Sequence, residues 1–212
     1  MAGYRMHLAT STVVGAAYGA AGVVVWDLDW GPVFLGAGLT AVGGLMPDLD
    51  SDSGVPIREL FGLAATAAPF LLYQRIHTAG FDMNQTLVIL GAIYLFIRYG
   101  VSSFVKKLTV HRGIFHSIPA MFVAGLIVYL AYVPEVPNAD HIRIFLAVGT
   151  MLGFLSHLIL DEIYSVDFMG VTIKLNKYAG SALKFFSPSW QATGICYFLL
   201  AALVFLCLVE AQ

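Results

Sequence analysis

Seven apolar runs occupy most of the chain and decide which solvent it can fold in. The runs are residues 8–26, 32–47, 58–76, 84–105, 117–133, 142–160 and 190–209. A helix needs about 20 mostly apolar residues to cross the hydrocarbon core of a bilayer, and fewer where protein shields it. Within that core each backbone N–H and C=O must be paired internally, which a helix achieves by itself. We therefore predict an all-α, polytopic transmembrane helical bundle of about seven membrane helices.

The composition supports this prediction and argues against a soluble protein. Hydrophobic residues make up 59% of the 212 and charged residues only 11%, whereas about 25% is usual for charged residues in soluble domains. No linker, repeat or change in composition divides the chain, so we expect one domain over 1–212. The chain has no general basic surface, and we expect no nucleic acid partner. The oligomeric state stays open.

Glycines concentrate in the first two runs. They are Gly15, Gly19, Gly22, Gly36, Gly38, Gly43 and Gly44. Small residues allow membrane helices to approach one another closely, so we predict that both runs pack through these positions. In the third run Pro69 interrupts the apolar sequence; membrane helices tolerate proline, often with a kink.

The segment between the sixth and seventh runs, residues 162–189, has a different character. It mixes Lys174, Lys177 and Lys184 with aliphatic and aromatic side chains. Lysines on one side and aromatic residues on the other suit the boundary between headgroups and acyl chains. We predict an interfacial amphipathic segment here, followed by a last membrane helix at 190–209.

The distribution of basic residues predicts the orientation. If all seven runs span, one side of the membrane receives Arg5, Arg58, Lys106, Lys107, Arg112, Lys174, Lys177 and Lys184. The opposite side receives only Arg75 and Arg143. Cytoplasmic loops carry the excess of Lys and Arg, so we expect a multi-pass protein of the cytoplasmic (inner) membrane with the first side in the cytoplasm.

The same topology gathers polar residues that are far apart in the sequence. They are His7 before the first run, Asp48 and Asp50 after the second, the run His111–Ser117 before the fifth, and His157 and Asp161 at the end of the sixth. All of them fall at the predicted cytoplasmic interface. Ionisable groups at membrane depth are costly and usually functional. We therefore predict that these residues form one site.

Two of the polar segments suggest how such a site would work. His157 and Asp161 are four residues apart, so on a helix they share one face and could hold an ion between them; a plain hydrogen bond would explain this pair equally well. Ser117 is placed to cap the helix that follows. Exposed helix N–H groups beside Arg112 would suit a phosphate, although Arg112 could instead bind lipid headgroups while His111 and His116 pack.

The number of candidate ligands predicts more than one ion. Asp48 and Asp50 are the metal carboxylates we favour after the second run, with Asp52 an outer-shell group or a solvated turn residue. Glycine stands at the wrong position for a calcium-binding EF-hand loop. Four histidines and three carboxylates suit two or three Zn²⁺, with Mn²⁺, Fe²⁺ or Mg²⁺ as other choices. The ligands would be His7, Asp48, Asp50, His111, His116, His157 and Asp161.

Four sequence motifs carry a resemblance to a known family. They are His7, Pro47-Asp48-Leu49-Asp50, His-Arg-Gly-Ile-Phe-His-Ser at 111–117, and Gly153-Phe154-Leu155-Ser156-His157-Leu158-Ile159-Leu160-Asp161. With these motifs, which lie within a core at 5–165, the chain resembles the membrane-bound metal-dependent hydrolases, also described as LexA-binding, inner-membrane-associated hydrolases. That family is similar in motif order to the zinc-dependent phospholipase C and nuclease superfamily. One departure is Phe115, where a threonine is common.

The resemblance implies a metal-dependent phosphoric ester hydrolase with the ligands named above, and with Asp50 as either a further ligand or the base. Asp50, Arg112 and Ser117 are the candidate catalytic residues, and Arg112 would hold the substrate phosphate. We expect membrane lipids as neighbours and a lipid or lipid-linked phosphoester as substrate. The main alternative is a non-enzymatic membrane scaffold that binds a regulator and has a structural metal site. A metal or proton carrier would need ionisable groups at the helix centres, where the sequence has few.

Overall fold

The predicted all-helical membrane fold is confirmed by a computed structural model that describes residues 3–50, 54–103, 113–135, 139–169, 172–175 and 183–210. Its helices are α1 Tyr4–Trp26, α2 Trp30–Gly43, α3 Gly54–Thr78, α4 Met83–Leu95, α5 Ile118–Ala131, α6 Asp140–Ile163 and α7 Trp190–Glu210. A 3₁₀ turn, Met46–Asp50, follows α2, and a π-helical turn, Phe96–Val101, continues α4. Each of the seven helices falls on one of the apolar runs.

The helices differ in their capacity to cross a membrane alone. Four of the described helices are long and apolar enough by length and composition: α1, α4 with its π-helical turn, α6 and α7. The apolar helices α2 and α5 have 14 residues each, about 21 Å of rise, against a hydrocarbon core of about 30 Å. Pro69 does not interrupt α3, which continues through it from Gly54 to Thr78.

Glycines bring α1, α2 and α6 into backbone contact. A Cβ atom added at Gly15 would overlap the carbonyl oxygen of Ala37, and one added at Gly153 would overlap that of Thr40. These approaches confirm the predicted close packing of the first two helices. Gly38 is the exception, because a Cβ there would meet no described atom within 4 Å. It faces outward instead of packing.

Phe145 fills the centre of these three helices. Its side chain is fully buried and lies where the absence of side chains at Gly22 and Gly36 leaves room for the ring. Tyr18 stacks on it with ring centroids 4.5 Å apart. The Tyr18 hydroxyl donates a hydrogen bond to the Phe145 carbonyl at 2.8 Å. The aromatic pair thus fixes α1 and α2 against α6.

Ion pairs and hydrogen bonds join four helices at the end of the bundle away from His7. Glu210 in α7 binds Arg75 of α3 at 2.6 Å and Arg143 of α6 at 2.5 Å. Arg143 also donates to the Tyr129 carbonyl of α5 at 3.0 Å and lies over the Tyr129 ring. Arg75 donates to the Leu130 carbonyl. One carboxylate thus anchors the last helix to α3 and α6, and the two arginines extend the connection to α5.

Replacing that carboxylate should weaken the bundle. We expect Glu210→Gln to lower the free energy of unfolding by about 1–2 kcal/mol, because it leaves the mostly buried Arg143 without its strongest partner while Glu210 itself is partly exposed. Thermal unfolding in detergent would measure the change. Glu135→Gln, at an exposed carboxylate in the loop before α6, is the matched control. Equal stability of the two variants would contradict the anchoring role.

The predicted interfacial segment is partly described. It contains an antiparallel hairpin, β1 Val166–Met169 and β2 Thr172–Leu175, which pairs Asp167 with Lys174. Further on, the backbone N–H of Ile118 donates to the Lys184 carbonyl at 3.0 Å. The side chains of Phe185 and Phe186 are exposed, as suits a membrane interface. Lys177 lies outside the described residues.

Candidate metal centre

Five side chains from four parts of the chain meet at one end of the bundle. His7 comes from the first turns of α1, Asp48 from the 3₁₀ turn after α2, and His116 from the turn before α5. His157 and Asp161 come from the last turns of α6. The predicted convergence of these residues is confirmed by their contacts, and their role as metal ligands stays a prediction.

The distances between their polar atoms fit a shared ion. Asp161 lies 3.3 Å from His7 Nε2, 3.9 Å from His116 Nε2 and 3.9 Å from His157 Nε2. Asp48 Oδ1 lies 3.8 Å from His157 Nε2 and 4.0 Å from His116 Nε2. Two ligands of one tetrahedral Zn²⁺ are about 3.3 Å apart, given bonds of about 2.0–2.2 Å. A small contraction would bring the group onto an ion.

A backbone carbonyl sets the protonation of His157. The Gly44 carbonyl oxygen lies 2.7 Å from Nδ1 of this fully buried ring. Because a carbonyl can only accept a hydrogen bond, Nδ1 carries the proton and the lone pair is on Nε2. Nε2 is the atom that faces Asp48 and Asp161. Outer contacts of this kind orient histidine ligands in metal sites.

Contacts with α2 and α6 position His7. One turn later in α1, the buried Ser11 hydroxyl donates to the Ala41 carbonyl at 3.1 Å, which ties α1 to the end of α2. The His7 ring stacks on His157 with centroids 3.6 Å apart and planes 9° from parallel. His116 meets His157 edge-on at 5.5 Å. The three imidazoles therefore pack as one unit.

His116 is held by the helix cap that follows it. Ser117 has extended backbone angles, and its side chain accepts a hydrogen bond from the Ala120 N–H at 3.4 Å, so the predicted N-cap is confirmed. The Ser117 hydroxyl donates to the Ile114 carbonyl at 2.5 Å and is fully buried. Capping thus uses both hydrogen-bonding functions of Ser117, and its catalytic role stays a prediction.

Burial raises the free-energy cost of the charges in this cluster. His7, His116, His157 and Asp161 are each at most 3% exposed, whereas the Asp48 side chain is 18% exposed. Two carboxylates in this setting need positive charge nearby, since a buried charge without compensation is costly. A divalent cation among neutral imidazoles would supply that charge, as would a protonated imidazole beside Asp161. Asp48, as the most exposed of the five, marks the side from which the cluster can be reached.

Two overlapping triplets could hold the cation. His7, Asp48 and His157 form one, and His116, His157 and Asp161 form the other, each with donor atoms within 4.8 Å of one another. His157 belongs to both and has only Nε2 to offer. The described donors therefore suit one ion, and a second or third ion would draw on other residues.

The remaining predicted site residues lie wholly or partly outside the described part of the chain. His111, Arg112 and Asp52 lie outside the described residues. Asp50 belongs to the 3₁₀ turn, but its side chain is likewise outside the described part. One contributor was missed by the sequence interpretation, the Gly44 carbonyl. Every residue has a backbone carbonyl, so the sequence does not show which one will contact a histidine. Gly44 stood out only as one of the glycines predicted to pack.

Fold and site together define a class, the polytopic helical membrane proteins with a buried histidine and carboxylate cluster at one end of the bundle. The profile of the YdjM inner membrane protein family matches residues 1–210, so the chain belongs to that family. No curated protein and no solved structure matches it. The predicted location in the inner membrane is thereby confirmed, while metal-dependent hydrolysis stays a prediction.

Proposed function

We propose that the chain is a membrane-embedded metal-dependent hydrolase that cleaves a phosphoester of a lipid or lipid-linked substrate. The observation that carries this proposal is the group of three buried imidazoles, the buried Asp161 and the partly exposed Asp48, drawn from α1, the 3₁₀ turn, the turn before α5, and α6. A divalent ion bound among them would balance the charge of the two carboxylates. Asp48, the most exposed of the five residues, marks the opening of the cluster.

The donor set suits zinc, and also manganese or iron. A divalent ion bound there would polarise the phosphoryl group and lower the pKa of a water molecule. His7, His116 and His157 would hold it with Asp48 and Asp161, and the Gly44 carbonyl would keep His157 Nε2 turned toward it. The proposal of two or three ions depends on His111 and Asp50 completing further positions.

The placement of the cluster favours a substrate with its phosphate at headgroup depth. The five residues lie at helix ends and at the turns between helices, not at helix centres. We place this end in the cytoplasm on the distribution of basic residues. Arg112, next to His111, would bind the substrate phosphate with charge-assisted hydrogen bonds. The interfacial segment would collect anionic lipids around the opening, with about 1 kcal/mol from each basic residue.

Metal analysis and a phosphatase screen test the proposal together. Protein purified in detergent should contain at least one tightly held divalent ion per chain by elemental analysis. It should release phosphate or an alcohol from lipid phosphoesters, and chelation should stop the reaction until Zn²⁺ or Mn²⁺ is restored. A bound ion with no turnover on any lipid phosphoester would reject the hydrolase and favour the scaffold with a structural metal.

A further inference from the structure

A short segment before α7, residues 183–189, contacts the first turn of α5, and we call it the strap. The backbone carbonyl of Lys184 in the strap accepts a hydrogen bond from the N–H of Ile118 at 3.0 Å. Ile118 is the first residue of α5, and His116 stands two residues before it. The strap therefore binds the backbone beside one of the five residues of the candidate metal centre.

This contact completes the hydrogen bonding of the α5 N-terminus. Ala120 donates its N–H to the Ser117 hydroxyl at 3.4 Å, and Met121 donates to the Ser117 carbonyl at 3.2 Å. Residue 119 is a proline and has no N–H, and Ile118 donates to the strap. Every N–H group of residues 118–121 is thus engaged within the chain. The strap holds this helix end closed, so the end is not open to a phosphate.

Hydrogen bonds on both sides of His116 fix its backbone. Before it, the Ile114 carbonyl accepts a hydrogen bond from the Ser117 hydroxyl at 2.5 Å. After it, Ile118 is held by the strap. The His116 ring is buried, and its Nε2 lies 3.9 Å from Asp161 and 4.0 Å from Asp48. A shift of this turn would move Nε2 relative to both carboxylates.

The first turns of α7 hold the strap in place. The Tyr197 hydroxyl donates a hydrogen bond to the Phe185 carbonyl at 3.2 Å. The Tyr197 ring stacks on Phe186 with centroids 5.9 Å apart. The N–H of Ser187 donates to the hydroxyl of the buried Thr193 at 3.0 Å. Three consecutive residues of the strap are therefore bound to α7, next to the residue that binds α5.

An apolar cluster supports the same region from within. Cys196 of α7 and Leu158 of α6 are buried members of this cluster, and Ile118 packs against it. Leu158 directly follows His157 in the sequence. The apolar contacts hold α5 and α7 against α6 at the level of the candidate metal centre. They are not directional, whereas the strap hydrogen bond fixes the position of the backbone.

We propose that the strap is a positioning element of the candidate metal centre, in which Tyr197 and the Lys184 carbonyl hold His116 within reach of the ion. The proposal rests on the proposed function in taking His116 as a ligand of a divalent ion. Ion binding can be measured without turnover, so the strap and the hydrolase can fail separately.

Two variants loosen the strap from different sides. Tyr197→Phe removes the hydroxyl that binds Phe185 and keeps the ring; Tyr94→Phe is its control, because Tyr94 in α4 is equally exposed, at 36%. Ile118→Pro removes the N–H that binds the strap, at the first helical position, where proline is favoured. Ile118→Val shortens the side chain but keeps that N–H, and it is the control for this variant.

The measurement is a titration of the metal-free protein with Co²⁺ alone, followed by visible absorption, which reports the coordination of the ion. Tyr197→Phe and Ile118→Pro should each weaken the affinity for Co²⁺ about tenfold, as loss of outer contacts does in metal sites. They should also alter the absorption spectrum. Tyr94→Phe and Ile118→Val should change the affinity less than twofold. Affinities and spectra equal to those of the controls would overturn the proposal.

Glu210→Gln distinguishes positioning from a general loss of stability. It weakens the bundle at the end away from His7, so it should lower the melting temperature and leave Co²⁺ affinity unchanged. Equal loss of affinity in Glu210→Gln and the strap variants would overturn the proposal, as would a parent that binds no Co²⁺. Strap-dependent Co²⁺ binding without hydrolysis of any lipid phosphoester would reject the hydrolase and retain the strap as part of a structural metal site.

Discussion

His116→Ala should remove the bound divalent ion and lower phosphoester turnover by on the order of a hundredfold or more. Loss of even an outer contact typically costs 10–100-fold in metal affinity or activity, and His116 is one of the five donors themselves. Its Nε2 lies 3.9 Å from Asp161 and 4.0 Å from Asp48. Without it, Asp161 and Asp48 have one imidazole fewer beside them. Elemental analysis and the phosphatase assay would measure both losses.

That experiment must distinguish a loss of metal binding and turnover from a loss of folding. His116 is buried, so truncation also opens a cavity, and His116→Asn supplies a polar side chain that keeps part of the volume. His141→Ala is the control for losing an imidazole, because His141 is exposed at the start of α6. Both His116 variants should stay monodisperse by size exclusion while losing metal. Full metal content and turnover in either one would exclude His116 as a ligand.

The sequence predicted the helices well because a bilayer leaves few alternatives. Apolar runs of this length must pair their own backbone groups, so their positions determine helices almost directly. The orientation of the helices relative to one another then followed, because successive helices cross the membrane in alternating directions. That single rule brought His7 and Asp161, 154 positions apart, to the same end, where they are 3.3 Å apart. Convergence of the site was thus predictable from topology alone.

Side-chain geometry was not predictable in the same way. The stacking of His7 on His157 depends on how closely α1 approaches α6, and that distance is set by glycine contacts whose partners the sequence does not name. The pairing of Glu210 with Arg75 and Arg143 joins residues 135 and 67 positions apart. The hydropathy pattern placed all three residues at one end of the bundle, but it could not show which of them form ion pairs. Gly38 shows the opposite error, since a glycine predicted to pack is exposed and has no described atom within 4 Å of its Cβ position.

Gly153→Ala should be the most destabilising single-methyl change in the described part of α6. The added Cβ would overlap the Thr40 carbonyl oxygen and approach the Gly44 N–H. Both neighbours are backbone atoms of α2 and its end, so no side chain can rotate away, and α2 must move off α6. Overpacking usually costs about 1–3 kcal/mol. We expect on the order of 3 kcal/mol or more here, which outweighs the gain of about 1 kcal/mol in helix propensity.

The displacement should also disturb the candidate metal centre, because Gly44 carries the carbonyl that orients His157 and Asp48 follows four residues later. Thermal unfolding and metal content of Gly153→Ala should therefore fall together. In Gly91→Ala the new methyl meets no described atom, so only the propensity gain remains and stability should hold or rise. Equal melting temperatures for the two variants would show that α2 and α6 are not in backbone contact at Gly153. Lowered stability with unchanged metal content would instead mean that the Gly44 carbonyl does not orient His157.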